Sequence, residues 1–157
     1  MKILLPVDGS DVSLEAVRCV IRMARAGLAT RVVLANVQES ANLYELVVAH
    51  DPQVLAQVSA AAGAHTLLAA QALLDEAHIP YEAEVASGDP AHTIIDILER
   101  YECDLVVMGA SGTSTLRSAL LGSVSNEVLH SASVPVMIVK AGEARVPDES
   151  EDGDSEP

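Results

Sequence analysis

Between Gly109 and Ser125 the sequence reads GASGTSTLRSALLGSVS, with three glycines, seven serine or threonine hydroxyls and a single cation, Arg117. Glycine lets a backbone approach a ligand closely and reach conformations with positive φ. The pair Gly122-Ser123 places a helix start at the end of this stretch, where free N–H groups and a partial positive charge favour an anion. Phosphate is the guest that suits it, with Ser123 and Ser125 as additional hydroxyl donors. Spacing alone leaves a second account standing, in which the glycines make a turn and Ser123 is an ordinary N-cap. The stretch matches neither GxxxxGK[ST] nor GxGxxG, and the two lysines of the chain, Lys2 and Lys140, lie elsewhere.

Asp8 is the polar group that belongs beside this loop. It closes the first apolar run, in PVDGS, and its carboxylate can accept from a ribose or an adenine amine, or bind a metal through water. Taken alone it is equally a turn residue before Gly9. Pro6 favours the special site, because proline is disfavoured inside a central strand and a strand ending there opens a crevice. Catalysis is poorly provided for. Phosphoryl transfer needs charge neutralisation and a positioned nucleophile, and no Asp, Glu or His lies between Gly109 and Ser125. At most, slow hydrolysis or self-phosphorylation of a loop Ser or Thr is expected.

Other reactive residue types have plainer accounts. Ser10 and Ser13 have no local histidine to activate them, so capping explains them. Asp89 precedes Pro90 and reads as an N-cap rather than a phospho-acceptor. The five histidines, at 50, 65, 78, 92 and 130, show no i,i+4 pair, so structural roles are expected and no metal site. Cys19 and Cys103 form no CxxC and read as reduced structural thiols.

The elements that must position these residues alternate between strand and helix patterns. KILLPV (Lys2–Val7) and RVVLANV (Arg31–Val37) are short apolar runs suited to strands buried on both faces. Between them Ser10 caps an amphipathic helix to about Ala26, and Gly27 stops it. Gln38–His50 reads as a loop with a helical turn around Tyr44. Asp51-Pro52 then opens a long helix to about His78, and YEAEVAS (Tyr81–Ser87) forms a third strand. Asp89-Pro90 opens a helix to about Tyr101, DLVVM (Asp104–Met108) is the fourth strand, a helix spans Ser123 to about Ser131, and VPVMIV (Val134–Val139) is the fifth strand. This order implies an α/β domain: an open five-stranded parallel sheet, doubly wound and Rossmann-like, with strand order 3-2-1-4-5 and helices on both faces. The crevice beyond the strand ends, between the first and fourth strands, is where a ligand belongs.

Composition limits the partners. The chain has 157 residues, half of them hydrophobic, with no Phe or Trp, which gives one domain with an aliphatic core. Its net charge of −14 argues against nucleic-acid backbones and anionic membranes. Residues 142–157, with seven acids and Arg145, carry −6 of that charge and leave the 1–141 domain at −8. This tail is expected to be disordered. Neither a signal peptide nor a spanning segment is apparent, so a soluble cytoplasmic protein is expected.

Together these residues resemble the universal stress protein family. GASGTSTLRSALLGS is similar to its nucleotide signature G-x2-G-x9-G-[ST], at Gly109, Gly112, Gly122 and Ser123; PVDGS, GDPAHTIIDILERYECDLVVMG and VPVMIV match in order across residues 1–140. The resemblance implies a stress-response regulator or sensor that binds ATP with Mg2+. It places adenine and ribose near Pro6, Val7, Asp8 and Val37. It places phosphates on Gly109, Gly112, Gly122, Ser123, Val124 and Ser125, with Met108 lining the pocket. Many relatives carry more basic residues where this chain has only Arg117, which keeps ADP, AMP or a cyclic nucleotide beside ATP. The apolar last strand is expected at a sheet edge, and the resemblance implies a homodimer formed through Val134–Val139. A nucleotide-free interaction dimer, with the glycine loop only a turn, is the competing reading.

Overall fold

The computed structural model describes residues 1–110 and 121–142. Gly112, Arg117 and nearly all of the acidic tail lie outside these residues. Five strands and five helices follow one another as β1 (Lys2–Pro6), α1 (Asp11–Arg25), β2 (Arg31–Gln38), α2 (Leu43–Ala49), α3 (Pro52–Glu76), β3 (Tyr81–Ser87), α4 (Pro90–Arg100), β4 (Leu105–Gly109), α5 (Ser123–Ser131) and β5 (Val136–Val139). All strand pairs are parallel and the sheet order is β3-β2-β1-β4-β5, the order expected from the sequence.

Period-two alternation divides the central strands between two cores. Ile3, Leu5, Val32, Leu34, Leu105 and Val107 face α1 and α3, while Leu4, Val33, Ala35, Val106 and Met108 face α4 and α5. Residues 3–5 and 32–35 are all essentially inaccessible, as strands covered on both faces must be.

Helix starts follow the sequence signals. Ser10 caps α1, accepting from the Ser13 N–H at 3.2 Å, and Asp11 at the first turn with Arg22 and Arg25 at the last complement the helix dipole. Asp51 and Asp89 cap α3 and α4, each followed by proline. Three boundaries differ from expectation. The segment read as a loop with one turn contains the seven-residue α2, closed by a capping box in which the Asn42 side chain accepts from Glu45 N–H and the Glu45 carboxylate accepts from Asn42 N–H. β5 begins at Val136 rather than Val134, because Pro135 has no N–H for the ladder and contributes only its carbonyl, to the Val106 N–H at 3.0 Å. The N-cap of α5 is Gly122, not Ser123.

The end of β1 opens the sheet. The Val7 N–H donates to the Ala35 carbonyl of β2 at 2.8 Å, so by alternation the ring nitrogen of Pro6 falls on the β4 side, where it has no proton to give. Pairing of β1 with β4 is confined to Ile3–Leu105 and Leu4–Val106, although β4 continues to Gly109 alongside β5. The two central strands therefore part beyond residue 4. Cys19 and Cys103 are both free thiols, and burial pushes the Cys103 thiol up. Among the described residues no helix is long and apolar enough to cross a membrane.

Candidate functional site

Where β1 and β4 part, the carboxyl ends of β1, β2 and β4 and the first turn of α5 surround a cavity of about 430 Å3. Pro6, Val7, Asp8, Val37, Met108, Gly109, Gly122, Ser123, Val124 and Ser125 all line it, brought together from four separate stretches of the chain. The eleventh residue singled out in the sequence, Gly112, lies outside the described residues.

The fold gives each its geometry. Asp8 leaves β1 through a tight turn, with its Oδ1 accepting from the Ser10 N–H at 3.0 Å and the Ser10 hydroxyl at 2.5 Å. Gly9 comes next with φ 83°, a left-handed conformation that glycine adopts without penalty. Asp8 is thus a turn residue and a cavity residue at once, with Oδ1 committed to the turn. Gly109 has a packing reason to be glycine: a Cβ there would stand 2.9 Å from Val12 Cγ1 and 3.1 Å from the Val12 carbonyl carbon of α1.

The start of α5 is built from backbone. Gly122 adopts φ −61° and ψ 157°, donates its own N–H to the Ala110 carbonyl at 2.7 Å, and offers no side chain to cap the helix. Ser123, Val124 and Ser125, whose N–H groups at the first helical positions have no partner within the helix, all line the cavity, and among the described residues no side chain caps this helix start. Ser125 differs from the sequence reading of a free hydroxyl donor. It is 4% exposed and its Oγ donates to the Gly109 carbonyl at 2.9 Å, so its hydroxyl proton is already committed within the fold.

Sequence reasoning missed several lining residues, among them Asn36, Glu39, Pro90 and Ile94. The signal for Asn36 was present, as the one polar residue in the run VVLANV that follows Arg31; Glu39 comes just after the end of β2 and carried no pattern. Among the described lining residues the acids are Asp8 and Glu39, and there is no Lys, Arg or His.

Beside the cavity, Asp89, His92 and Glu127 cluster on the surface. The Asp89 carboxylate caps α4 by accepting from the His92 N–H at 3.1 Å and pairs with His92 Nδ1 at 2.8 Å, while Glu127 of α5 lies 3.9 Å from His92 Nε2. The Asp89 bond, helped by Glu127, raises the His92 pKa above the ordinary 6.5, and the His92 N–H, with the ring, lowers that of Asp89 below 3.8. The imidazolium–carboxylate contact therefore stabilises the fold only while both are charged: it weakens as pH falls through the lowered Asp89 value and as pH rises through the raised His92 value. All three groups are exposed, so the expected effect on stability is small. The sharper readout is an NMR titration, in which the His92 midpoint lies above 6.5 and falls on Asp89→Asn, a change that keeps a good N-cap. An unchanged midpoint would mean that this pair does not persist in solution.

A doubly wound parallel sheet with a ligand-sized crevice at its reversal point defines a broad class of nucleotide- and small-molecule-binding folds. Comparison with known proteins narrows it. Residues 1–140 match the model of the universal stress protein family, and the chain belongs to that family. It is 32% identical over 139 residues to universal stress protein MJ0531 of Methanocaldococcus jannaschii, covering 88% of this chain and 81% of the relative. Universal stress protein UspA from Lactobacillus plantarum superposes with a TM-score of 0.72 at 25% identity, covering 88% of this chain and 97% of that one. A universal stress protein crystallised in complex with cAMP superposes at 0.61 with 25% identity, over 88% and 95% of the two chains.

Proposed function

We propose that this chain is an ATP-binding universal stress protein that acts as a nucleotide-responsive regulator or sensor, with slow hydrolysis or none. The observation that carries the reading is the α5 start, where Gly122 offers no capping side chain and the first three helical residues line a crevice of about 430 Å3. That volume lies within the roughly 300–1,000 Å3 usual for small-molecule sites. Phosphates are held at Gly122, Ser123, Val124 and Ser125. Base and ribose lie along Pro6, Val7, Asp8 and Val37, with Met108 and Gly109 between the two ends. Mg2+ accompanies the phosphates and offsets Asp8 and Glu39. The similar protein crystallised in complex with cAMP supports an adenine nucleotide as the ligand and keeps AMP, ADP and cyclic nucleotides beside ATP. With no basic or imidazole group among the described lining residues, the crevice is suited to holding phosphates and poorly suited to transferring them.

Pairing of β5 with the β5 of a second copy belongs to the same reading. β5 is a sheet edge and Met137 is 37% exposed in the single chain. The competing reading is an interaction dimer without nucleotide, favoured by the purely packing reason that Gly109 has for being glycine.

The test is to purify the protein without added nucleotide, denature it, and identify released small molecules by chromatography and mass spectrometry. Calorimetric titration with Mg-ATP, AMP and cAMP comes second, with light scattering to count chains. Stoichiometric release or micromolar binding of an adenine nucleotide is expected. Failure of all three nucleotides to bind a protein that is dimeric would install the competing reading.

A further inference from the structure

The β1–β2 ladder runs in register from Lys2–Arg31 to Pro6–Ala35, and the Val7 N–H adds one bond to the Ala35 carbonyl. In a parallel pair, a residue that donates to one carbonyl accepts, on the same side, from the N–H two residues further along the neighbour. The donor due at the Val7 carbonyl is therefore the Val37 N–H. Among the described residues that bond is not made, and the strand pairing stops at Pro6. The Val7 carbonyl accepts instead from Asn36 Nδ2, at 2.8 Å.

Asn36 is placed for this by its alternation. The N–H and carbonyl of its main chain point to β3, where it pairs with Val85, so it reaches β1 through its side chain. It is 3% exposed, and its Oδ1 accepts from Gln38 Nε2 at 2.6 Å. A carbonyl can only accept, so the bond to Val7 fixes which end of the carboxamide faces β1, and the Gln38 bond agrees. A buried asparagine among apolar strand residues costs stability unless its bonds are made, and both bonds here serve the open end of the sheet.

We propose that Asn36 is a positioning residue: by taking the Val7 carbonyl it ends the β1–β2 ladder one bond early and leaves the Val37 N–H and carbonyl turned to the crevice for the base of a bound nucleotide. The binding half of this statement rests on the function proposed above; the ladder half does not. Without the Asn36 donor, the Val7 carbonyl and the Val37 N–H are two unpaired groups on facing strands, and pairing them is the cheapest way to satisfy both. The ladder then closes over the peptide that the ligand would use.

Asn36→Leu is close to isosteric and carries no donor. Asn36→Asp keeps an acceptor for Gln38 and, when ionised, has no proton for Val7. The experiment measures backbone amide exchange at Val37 by NMR in ligand-free wild type and both variants, and Mg-ATP affinity by calorimetry in the same three proteins, with melting curves alongside. Rapid Val37 exchange is expected in wild type, with at least tenfold greater protection in Asn36→Leu as the ladder closes. ATP affinity is expected to fall tenfold or more in both variants while each still melts cooperatively. A Val37 amide already as protected in wild type as in Asn36→Leu would overturn the proposal, and so would wild-type affinity retained in both variants. If wild type itself bound no nucleotide, the function proposed above would fail, and the exchange comparison would still decide whether Asn36 holds the ladder open. Should Asn36→Leu not fold, Asn36→Asp carries the same two readouts: faster exchange at Val37 than at the laddered amides of β2 only where the donor is present.

Discussion

Gly122→Val is expected to abolish nucleotide binding, with a loss of at least 100-fold in affinity, and to leave the fold in place. The backbone tolerates the change: φ −61° and ψ 157° are values any residue adopts, and the Gly122 N–H keeps its bond to the Ala110 carbonyl. What changes is the cavity. Gly122 lines it next to Ser123, Val124 and Ser125, and under the proposed function a branched side chain there occupies space that phosphate oxygens need to approach the N–H groups of the helix start. Losing two or three charge-assisted hydrogen bonds, each worth about 1.5–3 kcal/mol, accounts for a hundredfold loss or more. Calorimetry with Mg-ATP, paired with a melting curve, decides it. Unchanged affinity would remove the phosphates from the α5 start and with them the central assignment of the site.

The choice of Gly122 for this test reflects how far the sequence could be read. Caps were legible where chemistry is local: Ser10, Asp51 and Asp89 each announce a helix by residue type, and the proline after each aspartate repeats the signal. Strand order came from the same alternation, because right-handed crossovers leave few ways to arrange five parallel strands. The crevice residues at 6–8, 108–109 and 122–125 were legible from glycine, proline and the resemblance together. α2 was not, because six of the seven residues in LYELVVA are apolar, so the pattern marks no single face, and the structure leaves Tyr44 77% and Val47 69% exposed. Its one local signal was the capping pair Asn42 and Glu45. Ser125 misled for the opposite reason. A hydroxyl in a helix's first turn reads as available, whereas its acceptor, the Gly109 carbonyl, lies sixteen residues away and is known only once β4 and α5 are packed. Asn36 was visible as a polar intrusion, but its partner at Val7 is twenty-nine residues distant. Tertiary bonds of this kind decide what a site residue has left to offer.

Gly63 carries the same lesson to stability, and the second large effect is expected there. It sits within α3 in an alanine-rich stretch, where exchange of glycine for alanine ordinarily stabilises a helix by about 1 kcal/mol. Gly63→Ala is expected to do the reverse here. The added methyl would overlap Val85 Cγ1 of β3 and come within 2.9 Å of Asn36 Oδ1. Val85 is β-branched and has little freedom to turn aside, and Asn36 is held by Val7 and Gln38. Glycine thus sets the distance between α3 and the β2–β3 pair. Overpacking of this kind costs about 1–3 kcal/mol, enough to outweigh the propensity gain and lower the Tm by about 2–4 °C for each kcal/mol of net loss. The contact with Asn36 gives the prediction its second half. Because the two side chains share a contact, their effects should not add: in an Asn36→Ala background, where Oδ1 is gone, the cost of Gly63→Ala should shrink measurably. Chemical denaturation of the four proteins of this cycle measures both quantities. A Tm that rises on Gly63→Ala would mean that α3 stands further from the sheet than described. A lowered Tm with strictly additive costs would place the strain at Val85 alone and free Asn36 from it.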